Sequence, residues 1–150
     1  MNRASFYMLA AVCGFAAAVW FKPAEIRAAS SSTSPSLDYE FFKTKVEPVF
    51  LTKRPGHARC VVCHTANNAP FHLVPLSPGS MAWNDMQSRQ NFQLIQRVAI
   101  PGSPDSPLIH HPLALAAGGD PHHGGGDQFA SQQDPAWLTL KAFVMGEKAK

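Results

Sequence analysis

The sequence predicts an all-α domain, a bundle of three or more helices joined by long Pro- and Gly-rich loops, and three observations predict it. Apolar residues recur at helical spacing in three separate stretches, 37–50, 83–99 and 135–145. Each stretch carries its own start or stop signals. No segment of adequate length alternates apolar and polar residues as a half-buried strand would.

In the first stretch, Phe42, Val46, Val49 and Phe50 form an apolar stripe on one helical face. Ser36 or Asp38 can cap it, and Pro48 is expected to bend or end it near its last turn. The second stretch places Met86, Phe92, Ile95 and Ala99 on or near one face, leaves Arg89 and Arg97 for water, and stops at Pro101-Gly102. In the third, Asp134 is an N-cap followed by Pro135 at the first helical position; Trp137, Leu140 and Val144 share a side, and Gly146 terminates the helix.

A length of 150 residues is about one domain, and 45% hydrophobic with 15% charged residues excludes collagen, coiled coil and wholesale disorder. The formal charge is +3, and three cations (Arg3, Lys22, Arg27) against one anion (Glu25) lie in the first 30 residues. The rest of the chain is close to neutral and has no Lys/Arg run, which argues against nucleic acid as a partner.

Residues 1–30 read as a signal peptide or an uncleaved membrane anchor: a short positive start, an uncharged apolar run over residues 4–21, then small residues at Ala28-Ala29-Ser30. Residues 4–21 could thus tether the protein to a membrane, with Trp20 and Phe21 at the boundary. Cys13 follows a sequence only loosely like a lipoprotein box. In each version the remainder lies outside the cytoplasm, in the periplasm or at the outer face of the cytoplasmic membrane. Residues 31–36 are a polar, low-complexity linker, and the folded domain is expected over residues 37–150.

The chemistry is concentrated in Cys60-Val61-Val62-Cys63-His64. This CxxCH pattern is a haem-attachment motif: two thiols on a short helical turn can each form a thioether to one vinyl group of a single haem, and the next residue places its imidazole under the iron. Other readings are a redox dithiol, a disulfide, or a zinc site recruiting His57 or His72, whose spacing is wrong for the usual ligand pairs.

On these residues the chain resembles a monohaem cytochrome of the class I type, in which an N-terminal helix leads into CxxCH and a C-terminal helix closes over the first. More narrowly, Asn91-Phe92, Pro101-Gly102, Ser106-Pro107-Leu108, His111-Pro112-Leu113, Gly118-Gly119, His123, Gly125-Gly126, Phe129 and Asp134 with Trp137 are similar to secreted bacterial cytochrome c domains of acidobacterial or planctomycete type. The resemblance covers about residues 38–146 and implies one covalent haem c around which the helices pack.

A class I cytochrome normally supplies Met as the second axial ligand from a loop before the last helix, and this sequence departs from that. Met81 and Met86 come too early, and Met145 lies in the terminal helix. The loop at the usual position, Gly118–Gly126, contains His122 and His123 among five glycines. The narrower resemblance places its His directly before a small residue and a Gly pair, which implies His123 beside His64 as the expected iron ligands, with His122, His111 and then His110 as alternatives, a methionine or an open site behind them. Two imidazoles lower the potential relative to Met/His and leave no vacancy for oxygen or peroxide.

The expected function is single-electron transfer between extracytoplasmic or membrane-bound redox partners, not catalysis. The alternative is a haem enzyme or gas sensor with an open distal site for peroxide, NO or CO. Only one CxxCH is present and the distal loop lacks arginine, both unfavourable to a peroxidase. Lys43, Lys45, Lys53, Arg54 and Arg59, against Glu47 alone, could steer an acidic redox partner; a solvated helix face is the other reading.

Overall fold

The computed structural model describes residues 34–66 and 71–150. The readings for residues 1–30, including Cys13 and the membrane tether, and for 31–33 of the linker fall outside the described residues. Within them the domain is all-α: five helices, and a single isolated bridge, Leu113 with Phe129, in place of any strand. No helix among the described residues is long and apolar enough to cross a membrane.

Helix α1 (39–51) runs through three pieces, Tyr39–Phe41, a π turn Phe42–Val46, and Glu47–Leu51. Asp38 caps it, its carboxylate accepting from the Phe41 N–H at 2.7 Å. Pro48 does not end it. The π turn, closed by the Glu47 N–H on the Phe42 carbonyl, puts Pro48 in the first turn of the last piece, where its missing N–H costs little. The helix stops instead at Thr52, whose N–H and hydroxyl both donate to the Pro48 carbonyl. Phe41, Phe42, Val46 and Phe50 are buried, while Val49 is only half-buried.

Helix α2 (Cys60–His64) is a short turn with Val61 inward. Helix α3 spans Asp85–Ile95, shorter than the sequence suggested at both ends. Asn84 and Gln87 form a reciprocal capping box that sets its phase, so Ser88, Asn91 and Ile95 face inward and Met86 is 67% exposed rather than on the core face. At its other end the buried Ser106 hydroxyl donates to the Val98 carbonyl and accepts from the Ile100 N–H, supplying the partners a longer helix would have used. Arg97 is exposed, and Arg89 is ion-paired with Asp85.

Helix α4 (Pro107–His110) leads to a 3₁₀ turn, Leu115–Ala117, and then the loop that returns to helix α5 (Pro135–Val144). Gly119 is obligatory there, since a Cβ would collide with the Leu113 carbonyl. Asp134 caps α5 as expected, accepting from the Ala136 and Trp137 N–H groups. Its inward face holds Phe143 as well as Trp137, Leu140 and Val144, and the Trp137 indole donates to the Ile109 carbonyl at 2.8 Å. Gly146 ends it at positive φ.

Rings from three helices meet in the core: Phe42 lies 5.6 Å from Phe92 and 5.8 Å from Phe143, at tilted angles that suit aromatic quadrupoles. Of the linker stretch, Pro35 packs against Gly102 and Gly146, and Ser36 accepts from the Lys148 ammonium.

Candidate functional site

Residues three apart on a helix point to the same side, and α2 uses this to present Cys60 and Cys63 together. Both are free thiols, Cys60 half-buried and Cys63 exposed, so the structure joins them in no disulfide. Burial pushes the Cys60 thiol up from its ordinary value, its own backbone N–H and Arg54 pulling the other way.

Cys60, Cys63 and His64 all line one cavity of about 670 Å³. Its walls are mainly apolar, with Phe50, Leu108 and Leu140 contributed by α1, α4 and α5, and Phe71, Val98 and Phe129 by the segments between helices. The polar side chains on it are Arg59, His64, His111, His123 and Gln128.

His64 and His123 face one another with ring centroids 6.3 Å apart and planes inclined by 30°. Each is oriented the same way. His64 Nδ1 lies 2.8 Å from the Phe71 carbonyl and His123 Nδ1 lies 2.7 Å from the Gly126 carbonyl. A carbonyl oxygen only accepts, so in both rings Nδ1 carries the proton and the lone pair sits on Nε2, the arrangement a metal-ligating imidazole needs. Burial pushes His64 below the usual histidine range; the Phe71 carbonyl opposes this, and the neighbouring His123, His111 and His72 add to it. The neutral, ligand-competent form is thereby favoured.

The segment that follows the Phe71 carbonyl is held by α3 and by Trp83 just before it. Asn91, fully buried, accepts from the Val74 N–H at 2.7 Å; Trp83 donates to the Val74 carbonyl and Gln87 to that of Pro75. The Leu73 N–H returns to the His64 carbonyl at 2.7 Å.

His111 also lines the cavity, its ring 5.0 Å from that of His123 and nearly perpendicular to it, and its Nδ1 is paired with Asp120 at 3.1 Å, which leaves its Nε2 free as well. His122 is exposed, with its backbone N–H on Asp120, and His110 lies beside Asp105. Neither lines the cavity, nor do His57 and His72. Met81, Met86 and Met145 are exposed and away from it. Among the described residues no group of three or more His, Cys, Asp or Glu is arranged to hold a metal ion, which leaves the zinc reading without a site. The residues that could hold a cofactor are Cys60, Cys63, His64 and, from the facing wall, His123 or His111.

Sequence reasoning missed the Phe71 and Gly126 carbonyls, because backbone acceptors leave no trace in residue type. It also missed Gln128, whose role depends on contacts between remote segments. Of the five basic residues before the motif, Lys43 is bound to Asp85 and Arg54 to Asp134, while Lys45, Lys53 and Arg59 form no ion pair with the described residues; Glu47 is buried. The chain matches no family model, no curated protein and no solved structure.

Proposed function

We propose that this chain is a monohaem c-type cytochrome domain that relays single electrons between partners outside the cytoplasm. The observation that carries this reading is the placement of His64 and His123 across one apolar cavity, beside two free thiols spaced for thioether attachment.

The residues fit the group. The His64 and His123 rings stand 6.3 Å apart, centroid to centroid, which leaves room for one metal ion between them. The cavity is within the size range of about 300–1,000 Å³ usual for cofactor sites, and its walls are apolar except where the imidazoles enter. Cys60 and Cys63 would hold the macrocycle by thioethers, and His64 and His123 would ligate the iron.

When bound, the haem supplies a one-electron couple. The chain's own residues would do the rest: the two carbonyl-anchored histidines would hold the group from facing walls of the cavity, and Phe50, Phe71, Phe129 and Leu140 would exclude water. Keeping His64 neutral avoids burying an unpaired imidazolium. Lys45, Lys53 and Arg59 remain to attract an acidic partner.

The reading is tested by expressing the full chain in a bacterium able to attach haem c, then taking its mass and its optical and EPR spectra. The expected result is a mass one haem above the polypeptide and a low-spin spectrum without the Met-to-iron band. Colourless protein at the bare polypeptide mass overturns it.

A further inference from the structure

We propose that Gln128 is the positioning residue that holds His123 opposite His64, a role that rests on the haem reading above. The turn that carries His123 is tied mostly to itself. His123 Nδ1 donates to the Gly126 carbonyl and the Gly126 N–H returns to the His123 carbonyl at 2.9 Å. A Cβ on Gly124 or Gly126 would meet nothing within 4 Å, and residues 124–127 are exposed. Such a turn carries little packing of its own to keep the imidazole in place.

Gln128 joins this turn to the domain. Its backbone N–H donates to the Pro112 carbonyl at 2.8 Å, the following Phe129 N–H shares that acceptor, and the Phe129 carbonyl accepts from Ala114. From this fixed point the carboxamide Nε2 donates to the Gly125 carbonyl at 3.2 Å. His111 adds only the edge-on ring contact, since its Nδ1 is engaged by Asp120.

The residue type supports the assignment. Gln128 is 6% exposed and its Oε1 is buried with no hydrogen-bond partner, which costs stability that a leucine of similar volume would avoid. A purely structural position would therefore favour Leu. What Gln adds is the Nε2 donation to the His123 turn.

The test uses haem-loaded protein with Gln128→Leu and the isosteric Gln128→Glu, which lacks the donor. Cyanide binding to the ferric form is followed by stopped flow, alongside thermal melting and with His123→Ala for reference. Losing one hydrogen bond on the turn is expected to speed cyanide entry by about five- to tenfold in both variants, with melting of Q128L unchanged or raised. Unchanged cyanide rates in both variants, with or without lowered melting, overturn the proposal. Wild-type entry as fast as in H123A overturns it through the choice of His123 while leaving the haem reading intact, whereas a colourless chain removes both.

Discussion

Arg54 and Asp134 form a bidentate ion pair that links the loop before the CxxCH turn to the N-terminus of the last helix. The same carboxylate caps that helix, and the Arg54 guanidinium lies 4.8 Å from the centroid of the Phe129 ring, which lines the cavity. One pair therefore fastens the floor of the site to the helix that closes it. Asp134→Ala removes the cap and strands a partly buried guanidinium, and is expected to cost about 2–3 kcal/mol by chemical denaturation. Burial alone would raise the Asp134 carboxyl, but Arg54 and the cap N–H groups outweigh it and hold it below its ordinary value. Its contribution is thus present above the unfolded carboxylate value and lost as acid protonates the folded form, so the difference from D134A should shrink toward low pH. A constant difference would refute that linkage.

If the chain carries the proposed haem, His123→Ala should convert its low-spin spectrum to high-spin and open the iron to CO, because no methionine and neither His110 nor His122 lines the cavity. His111→Ala should leave the spectrum low-spin. The reverse pattern in EPR would assign the ligand to His111.

Asn91→Ala removes the fully buried acceptor of the half-buried Val74 N–H and frees the segment whose Phe71 carbonyl orients His64. A loss of about 1–3 kcal/mol in unfolding free energy is expected. A loss well under that would mean that Trp83 and Gln87 suffice to hold residues 74 and 75.

Burial lifts the Glu47 carboxyl above its ordinary value, with the Ser88 hydroxyl and Lys43 opposing and Asp85 adding to the rise. The folded chain then binds this proton more tightly than the unfolded one. Its contribution to stability is full below the unfolded value of about 4.3 and is lost as pH rises through the folded-state value. Glu47→Gln should therefore raise the melting temperature at neutral pH relative to the wild type, and the advantage should disappear below about pH 4. A pH-independent difference would show that Glu47 does not titrate in this window.

If Lys45 and Lys53 steer an acidic redox partner, electron transfer at low ionic strength should slow in a Lys45→Glu, Lys53→Glu double variant and converge with wild type once the Debye length falls to about 3 Å near 1 M salt. Stopped-flow rates against salt measure this. Indifference of both proteins to salt would assign the two lysines to an ordinary solvated face.

What the sequence determined by itself is what nearest neighbours along the chain decide. The proposed chemistry of Cys60, Cys63 and His64 rests on a five-residue spacing, and the caps at Asp38 and Asp134 and the stop at Gly146 follow from bonds within one turn. Pro48 and Met86 mark where local reasoning ended: a π turn absorbed the proline, and a capping box rotated α3 so that Ser88 and Asn91 faced inward. Only the tertiary structure decided which of the remaining histidines faces His64, because that depends on how the loop after α4 closes over the cavity. That closure is set by Gly119 against Leu113, by Gln128 and Phe129 on Pro112, and by Arg54 on Asp134, contacts that reach beyond a single helical turn and that no residue spacing encodes.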